Sequence, residues 1–148
     1  MSDASWDATD AHWPTVLAID DDPQVCETIG LRLSQYEVNY LHAGHGMHGF
    51  WLAMTDRPDV ILCDMKMPQG GGDYVVDCLR HNSDTRHIPV IILTGQRDRA
   101  LENKMRNLGV HEYFTKPIHF DQLRQAIGKY IRLIERNWCD LDAIAARD

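Results

Sequence analysis

Five short apolar segments, each leading into an amphipathic stretch, predict an α/β fold: a doubly wound, five-stranded parallel sheet with helices on both faces. Two observations narrow the prediction. The apolar segments stop abruptly at polar or charged residues, as strands buried on both faces do. Strands that alternate with helices must run parallel and be joined by right-handed crossovers.

The elements follow in order. Residues 1–13 are polar and unpatterned, and read as a disordered acidic arm in which Trp6 and Trp13 are the only large apolar groups. Thr15–Ile19 reads as the first strand. Asp22 is placed as a helix N-cap, with Pro23 in the first turn where proline is tolerated. The first helix runs to about Ser34, with Val25, Ile29 and Leu33 on one face. Val38–Leu41 is the second strand, and Met47–Met54 the second helix, with core packing expected to explain most of Phe50, Trp51 and Met54. Val60–Cys63 is the third strand. Gly70, Gly71 and Gly72 are expected to form a loop, because glycine is costly inside either element. Asp73–Asn82 is the third helix, Pro89–Thr94 the fourth strand, and Asp98–Leu108 the fourth helix, with Gly109 suited to its C-terminal turn. Glu112–Phe114 is the fifth strand. The last helix starts near Phe120 and carries Leu123, Ile127, Tyr130, Ile131 and Ile134 on its apolar side. Trp138, Leu141 and Ala145 continue a helical spacing, so 137–148 reads as a helical extension or linker beyond a domain at 14–136.

Composition excludes several classes of function. Fifteen Lys and Arg against 22 Asp and Glu give the 148 residues a net charge of −7, which disfavours direct nucleic acid binding by this chain. No apolar run approaches a membrane span. The first dozen residues lack the basic start and apolar stretch of a secretory signal. Cys26, Cys63, Cys78 and Cys139 form no CxxC pair and read as reduced thiols of a cytoplasmic protein, Cys63 as a core residue. The charge is unevenly spread. The arm 1–13 carries −3 and the tail 137–148 carries −2; Asp20, Asp21, Asp22, Asp64 and Lys116 sum to −3, leaving +1 for everything else.

In doubly wound sheets the site lies outside the carboxyl ends of the strands. There the sequence places Asp20, Asp21 and Asp22 after the first strand, Asp64 after the third, Thr94 at the end of the fourth and Lys116 after the fifth. Carboxylates held together repel unless a cation binds them, and a carboxylate set completed by water suits Mg²⁺. A lysine and a hydroxyl beside it can receive the oxygens of a phosphoryl group. The chemistry this set supports is phosphoryl transfer onto an aspartate.

The segments AIDDDP (18–23), PDVILCDMKMP (58–68), PVIILTG (89–95) and YFTKP (113–117) together resemble those of a bacterial response-regulator receiver domain, from about Thr15 to Arg136. That resemblance implies a flavodoxin-like sheet of strand order 2-1-3-4-5. It implies Asp64 as the phospho-acceptor in a two-component phosphorelay, with Mg²⁺ held by Asp20, Asp21, Asp64 and the backbone carbonyl of Lys66. Thr94 and Lys116 would contact the phosphoryl oxygens. Tyr113 would be the aromatic switch that follows Thr94, and Pro117 the family's cis-proline. Lys66 and Gln96 would border the phosphoryl group and tune its lifetime. The partners implied are a sensor histidine kinase or a histidine phosphotransfer protein. The output implied is a change in the face made by the fourth helix, fifth strand and fifth helix, which could also support a homodimer.

The chain departs from the family pattern at Gly71, where an acidic residue is usual, so the loop after the third strand is expected to be less rigid. A non-phosphorylated pseudo-receiver acting as an interaction module is the alternative reading; it would lack the acidic pair, the acceptor or the lysine. An aspartate-nucleophile phosphatase would need a second acid where Lys66 stands, and a flavodoxin-like electron carrier would need a hydroxyl-rich phosphate loop after the first strand. His42, His45 and His48 stand three apart, but Gly44 and Gly46 break any single face, so they read as surface loop residues rather than metal ligands.

Overall fold

A computed structural model describes residues 13–95 and 97–137. Strands and helices alternate along it as β1 (Thr15–Ile19), α1 (Pro23–Leu33), β2 (Asn39–Ala43), α2 (Gly46–Asp56), β3 (Val60–Cys63), α3 (Gly72–Arg80), β4 (Val90–Thr94), α4 (Arg99–Asn107), β5 (Glu112–Thr115) and α5 (Phe120–Ile127). Every strand pairing is parallel and the sheet order is β2-β1-β3-β4-β5, as the resemblance implied.

Because successive side chains of a strand point to opposite faces, each apolar strand feeds two cores. Leu17, Ile19, Ile61, Cys63, Val90 and Ile92 pack beneath α2, α3 and α4, against Ala53, Val75, Val76, Leu79 and Met105. Val16, Ala18, Val60, Leu62, Ile91 and Leu93 pack on the other side against Ile29 and Leu33 of α1 and Leu123, Ala126 and Ile127 of α5. Burial on both faces is why β1, β3 and β4 carry unbroken apolar runs rather than alternating ones. Among the described residues no helix is long and apolar enough to cross a membrane.

Four expectations need correction. The second strand lies later than Val38–Leu41, because its ladder with β1 continues to the pair Ile19 and Ala43. Trp51 is not a core residue but 56% exposed. Phe50 and Ala53 turn toward the sheet, and one further step around the helix carries Trp51 outward. The triple glycine is not wholly loop: Gly71 caps α3 and Gly72 is its first residue. A Cβ at Gly72 would collide with the Asp64 carbonyl oxygen, and the Gly72 N–H donates to the Met65 carbonyl at 2.9 Å. Close approach, rather than loop flexibility, is what requires glycine there.

Finally, the last helix stops at Ile127 and does not carry Tyr130, Ile131 and Ile134 along one stripe. Gly128 is its C-cap, and the chain then turns back to form an antiparallel bridge between Glu135 and Tyr36. The Glu37 N–H donates to Ile134 O at 2.7 Å and the Arg136 N–H to Gln35 O at 2.9 Å. Ile131 is buried by this return whereas Ile134 is 43% exposed. The Arg136 guanidinium lies 4.7 Å over the Trp13 ring. The readings made for the arm before Trp13, for Gln96 and for the extension from 138 onward fall outside the described residues.

Candidate phosphoryl-acceptor site

The site forms where β1, β3, β4 and β5 end. β1 delivers Asp20, whose N–H still donates to Ala43 O of β2 at 3.0 Å, so its backbone is held by the neighbouring strand. Its side chain is held as well. Oδ1 accepts the Asp22 N–H at 2.9 Å, and Oδ2 lies 2.6 Å from Lys116 Nζ. Asp20 is buried while Asp21 and Asp22 are exposed. Asp22 caps α1, accepting the Gln24 N–H at 2.9 Å, with Pro23 in the first turn.

β3 delivers Asp64, only 8% exposed. Its N–H donates to Ile19 O at 2.9 Å and its Oδ1 accepts the Met65 N–H at 2.7 Å. Burial pushes the Asp64 carboxyl above its ordinary value of 3.8; Lys116 pulls it back, while Asp20 adds to the rise. A carboxylate oxygen from each of Asp20, Asp21 and Asp64 lies within 4.8 Å of the others, the one such metal-competent group among the described residues. These are hard, anionic donors close enough to share one small divalent cation, so the donor set fits Mg²⁺.

β5 delivers Lys116. Its N–H donates to Thr94 O at 2.7 Å, which ties the ends of β4 and β5 together, and its peptide bond to Pro117 is cis, as the resemblance implied. Nζ sits 2.6 Å from Asp20 and 3.8 Å from Asp64. Burial works against the lysine charge, but the hydrogen bond and charge of Asp20 outweigh it, and the Lys116 pKa is raised. Thr94 is buried at the end of β4. Three residues before Lys116, Tyr113 packs against the core under α2, α3 and α4 that includes Met105. Its hydroxyl is buried with no hydrogen-bond partner among the described residues. Burial raises its pKa, reinforced by Glu102 and Asp98. Lys66 lies exposed in the turn after β3.

The structure thus gathers the carboxylates of Asp20, Asp21 and Asp64, pairs Lys116 with Asp20 and Asp64, and hydrogen-bonds Thr94 through its backbone to the lysine. The histidines separate by role. His42 is exposed on β2, and His45 is the N-cap of α2, its Nδ1 accepting the His48 N–H at 3.2 Å. Sequence reasoning passed over Cys26 and Tyr40, which support Asp20 from behind. The Cys26 thiol donates to Asp20 O at 3.5 Å, and the Tyr40 hydroxyl donates to Cys26 O at 2.6 Å. Both bonds end on backbone carbonyls, which no residue pattern marks.

Comparisons with known proteins agree with this fold. Residues 16–128 match the family model described as the response regulator receiver domain. Over 110 residues, 74% of this chain, it is 33% identical to the hybrid signal transduction histidine kinase D of Dictyostelium discoideum, of which the match covers 7%. It is 32% identical over 101 residues to the polar-differentiation response regulator DivK of Brucella anthropi, covering 68% of this chain and 80% of the relative. Vibrio cholerae chemotaxis protein CheY4 has the same fold, with a TM-score of 0.75 at 23% identity over 80% of this chain and 99% of that one. Several relatives are far longer, the match spanning between 7% and 51% of four of them. A whole-domain match, the sheet order and the acid–lysine edge converge: this chain belongs to the response regulator receiver domain family.

Proposed function

We propose that the protein accepts a phosphoryl group on Asp64 from the phosphohistidine of a sensor histidine kinase or histidine phosphotransfer protein, and that this switches the α4–β5–α5 face. The observation that carries the reading is the surplus of three clustered carboxylates over one lysine at the strand ends. Asp20, Asp21, Asp64 and the Lys66 carbonyl would hold Mg²⁺. When bound, the ion supplies charge neutralisation for the acidic cluster and for the phosphoryl oxygens.

The protein's own residues do the rest. The Met65 N–H fixes Oδ1 of Asp64, leaving Oδ2 as the attacking oxygen, on the side that faces Lys116. Bond formation from Oδ2 to phosphorus proceeds in line as the phosphorus–nitrogen bond to the donor histidine breaks. Lys116 moves its charge from Asp20 toward the transferred oxygens, and the Thr94 hydroxyl donates to them. The acyl phosphate adds roughly two negative charges to the edge. Tyr113, whose hydroxyl lacks a partner among the described residues, then repacks as Thr94 shifts. The result is a population shift set by the differential contacts of the phosphoryl group. Lys66 and Gln96 tune hydrolysis.

A homodimer through α4–β5–α5 is the proposed assembly. The net charge of −7 supports a chain that does not itself grip nucleic acid, and the free thiols Cys26, Cys63 and Cys78 support a cytoplasmic location. The pseudo-receiver alternative is not favoured, since the acidic pair, the acceptor and the lysine are all present.

The test is intact-mass spectrometry after incubation with Mg²⁺ and acetyl phosphate. One phosphoryl adduct is expected, absent from Asp64→Asn and absent with EDTA. Beryllofluoride should change the fluorescence or chemical shift of Tyr113. An unmodified wild-type mass together with an unresponsive Tyr113 would overturn the proposal.

A further inference from the structure

β2 is the edge strand of the sheet and contributes no acidic or phosphoryl-contacting group, yet it reaches the site through a two-bond strut. Tyr40, in the middle of β2, sends its hydroxyl to the Cys26 carbonyl in the first turns of α1 at 2.6 Å. The Cys26 thiol, in turn, donates to the Asp20 carbonyl at 3.5 Å. That carbonyl lies just past the last ladder pair of β1, Ile19 with Ala43; the Asp20 N–H is still held by Ala43 O at 3.0 Å, and the thiol meets the carbonyl side of the same residue. The strut therefore adds a tie on the carbonyl side of a residue whose N–H the neighbouring strand already holds.

Three features show that it is built rather than incidental. Cys26 is only 3% exposed. The Tyr40 ring lies directly over Gly30, where a Cβ would stand 2.7 Å from Cε2, so the ring takes this seat because the residue is glycine. Beside the strut lies a cleft of about 550 Å³ lined by Asp20, Asp21, Cys26, Glu27, Tyr40 and His42.

We infer that Cys26 and Tyr40 are positioning residues for the acidic pair: they fix the Asp20 peptide, and with it the direction of the Asp20 carboxylate toward a divalent cation. The inference rests on the proposed metal-binding role of Asp20 and Asp21. Cys26 acts as a donor and not as a reactive thiol. Groups that orient the first ligands of a metal are worth about tenfold or more in affinity.

The experiment is Mn²⁺ titration of the full chain, followed by electron paramagnetic resonance well below the melting temperature, with melting curves recorded in parallel. Tyr40→Phe, which removes only the hydroxyl, and Cys26→Ala should each weaken Mn²⁺ binding by about tenfold. Gly30→Ala keeps the hydroxyl but displaces the ring, and should weaken binding to the same degree. Cys26→Ser restores a donor and should return affinity to within roughly threefold of wild type. A purely structural role would lower the melting temperature of these variants while leaving the Mn²⁺ affinity of the folded protein unchanged, and that pattern overturns the inference. If wild type itself binds no Mn²⁺, the metal-binding reading fails and this one falls with it. Wild-type binding with unaffected variants overturns this inference alone.

Discussion

At the carboxyl edge of the sheet Lys116 faces Asp20 and Asp64, with Asp21 clustered beside them, while at the far end of α3 Arg80 faces four backbone carbonyls. Both places take charge out of water, and they balance it differently. Arg80 donates from Nε to Leu108 O at 3.0 Å, from Nη1 to Arg86 O at 2.9 Å and Ile88 O at 3.0 Å, and from Nη2 to Gly109 O at 3.0 Å. Its planar fork matches partners from the loop before β4 and the end of α4 at once. Burial lowers its pKa, but a guanidinium remains charged at any relevant pH. The acidic edge has no such closure. One lysine cannot satisfy three carboxylates, and the Asp64 carboxyl is raised, by burial first and by the Asp20 charge as well, in spite of Lys116. A buried charge with a full set of partners holds a fold together, whereas one with a deficit is prepared to receive something.

The sharpest way to break the comparison is at Arg80. Arg80→Met keeps the apolar stem and removes every donor, leaving carbonyls of Leu108, Arg86, Ile88 and Gly109 without their side-chain partner. The expected loss is about 2 to 4 kcal/mol in urea unfolding. Arg80→Lys should recover only a part, since a point charge cannot reach both loops. Phosphoryl acceptance by the folded variant should persist. A cost within the roughly 0.5 kcal/mol typical of surface substitutions would show that the network is ornamental.

The acidic edge should respond with the opposite sign. Asp64→Asn keeps the oxygen that accepts the Met65 N–H and removes one of three clustered charges, so in EDTA it should stabilise the protein by about 1 kcal/mol. For a domain of this size that is a rise of roughly 3 to 5 °C in Tm. The pH dependence has a definite direction. The Asp64 carboxyl titrates above its ordinary 3.8 in the folded protein, so between those two values the folded state binds more protons than the unfolded chain. Wild-type stability in EDTA therefore carries a contribution that falls as pH rises through this interval, and Asp64→Asn should lack it. Stability curves for the two proteins that stay parallel across the acid range would refute the argument.

The contrast also explains what could be read from the chain. The acidic edge was legible because its chemistry resides in side chains at strand ends, and the strands announce themselves: Val60–Cys63 has no polar residue because α helices cover it on both sides. Arg80, Cys26 and Tyr40 were not legible, because their partners are carbonyls, identical in every residue, and Leu108 lies 28 positions from Arg80. Gly72 was misread for a related reason. Its need for glycine comes from the Asp64 carbonyl pressed against it, not from its own conformation. The end of α5 was missed because the apolar spacing of Tyr130, Ile131 and Ile134 runs on past Gly128, although the chain itself turns back there to pair Glu135 with Tyr36.

The smallest expected effect probes the boundary between the two behaviours. Tyr113 is neutral, yet its buried hydroxyl has no partner among the described residues, so it carries the same kind of deficit in weaker form. A buried hydroxyl without a hydrogen bond loses hydration and recovers nothing, and its removal at constant shape is favourable or neutral. Tyr113→Phe should therefore raise stability in EDTA by about 0.5 to 1 kcal/mol, where deleting a satisfied hydroxyl would lower it. The ring's packing against the core is unchanged by the substitution, so the sign reports the hydroxyl alone. Chemical unfolding with Mg²⁺ and beryllofluoride supplies the second arm. If the hydroxyl gains a partner when the site is filled, the advantage of phenylalanine should shrink or reverse there. Destabilisation by Tyr113→Phe under both conditions would mean the hydroxyl is already satisfied, and that Tyr113 belongs with Arg80 rather than with Asp64.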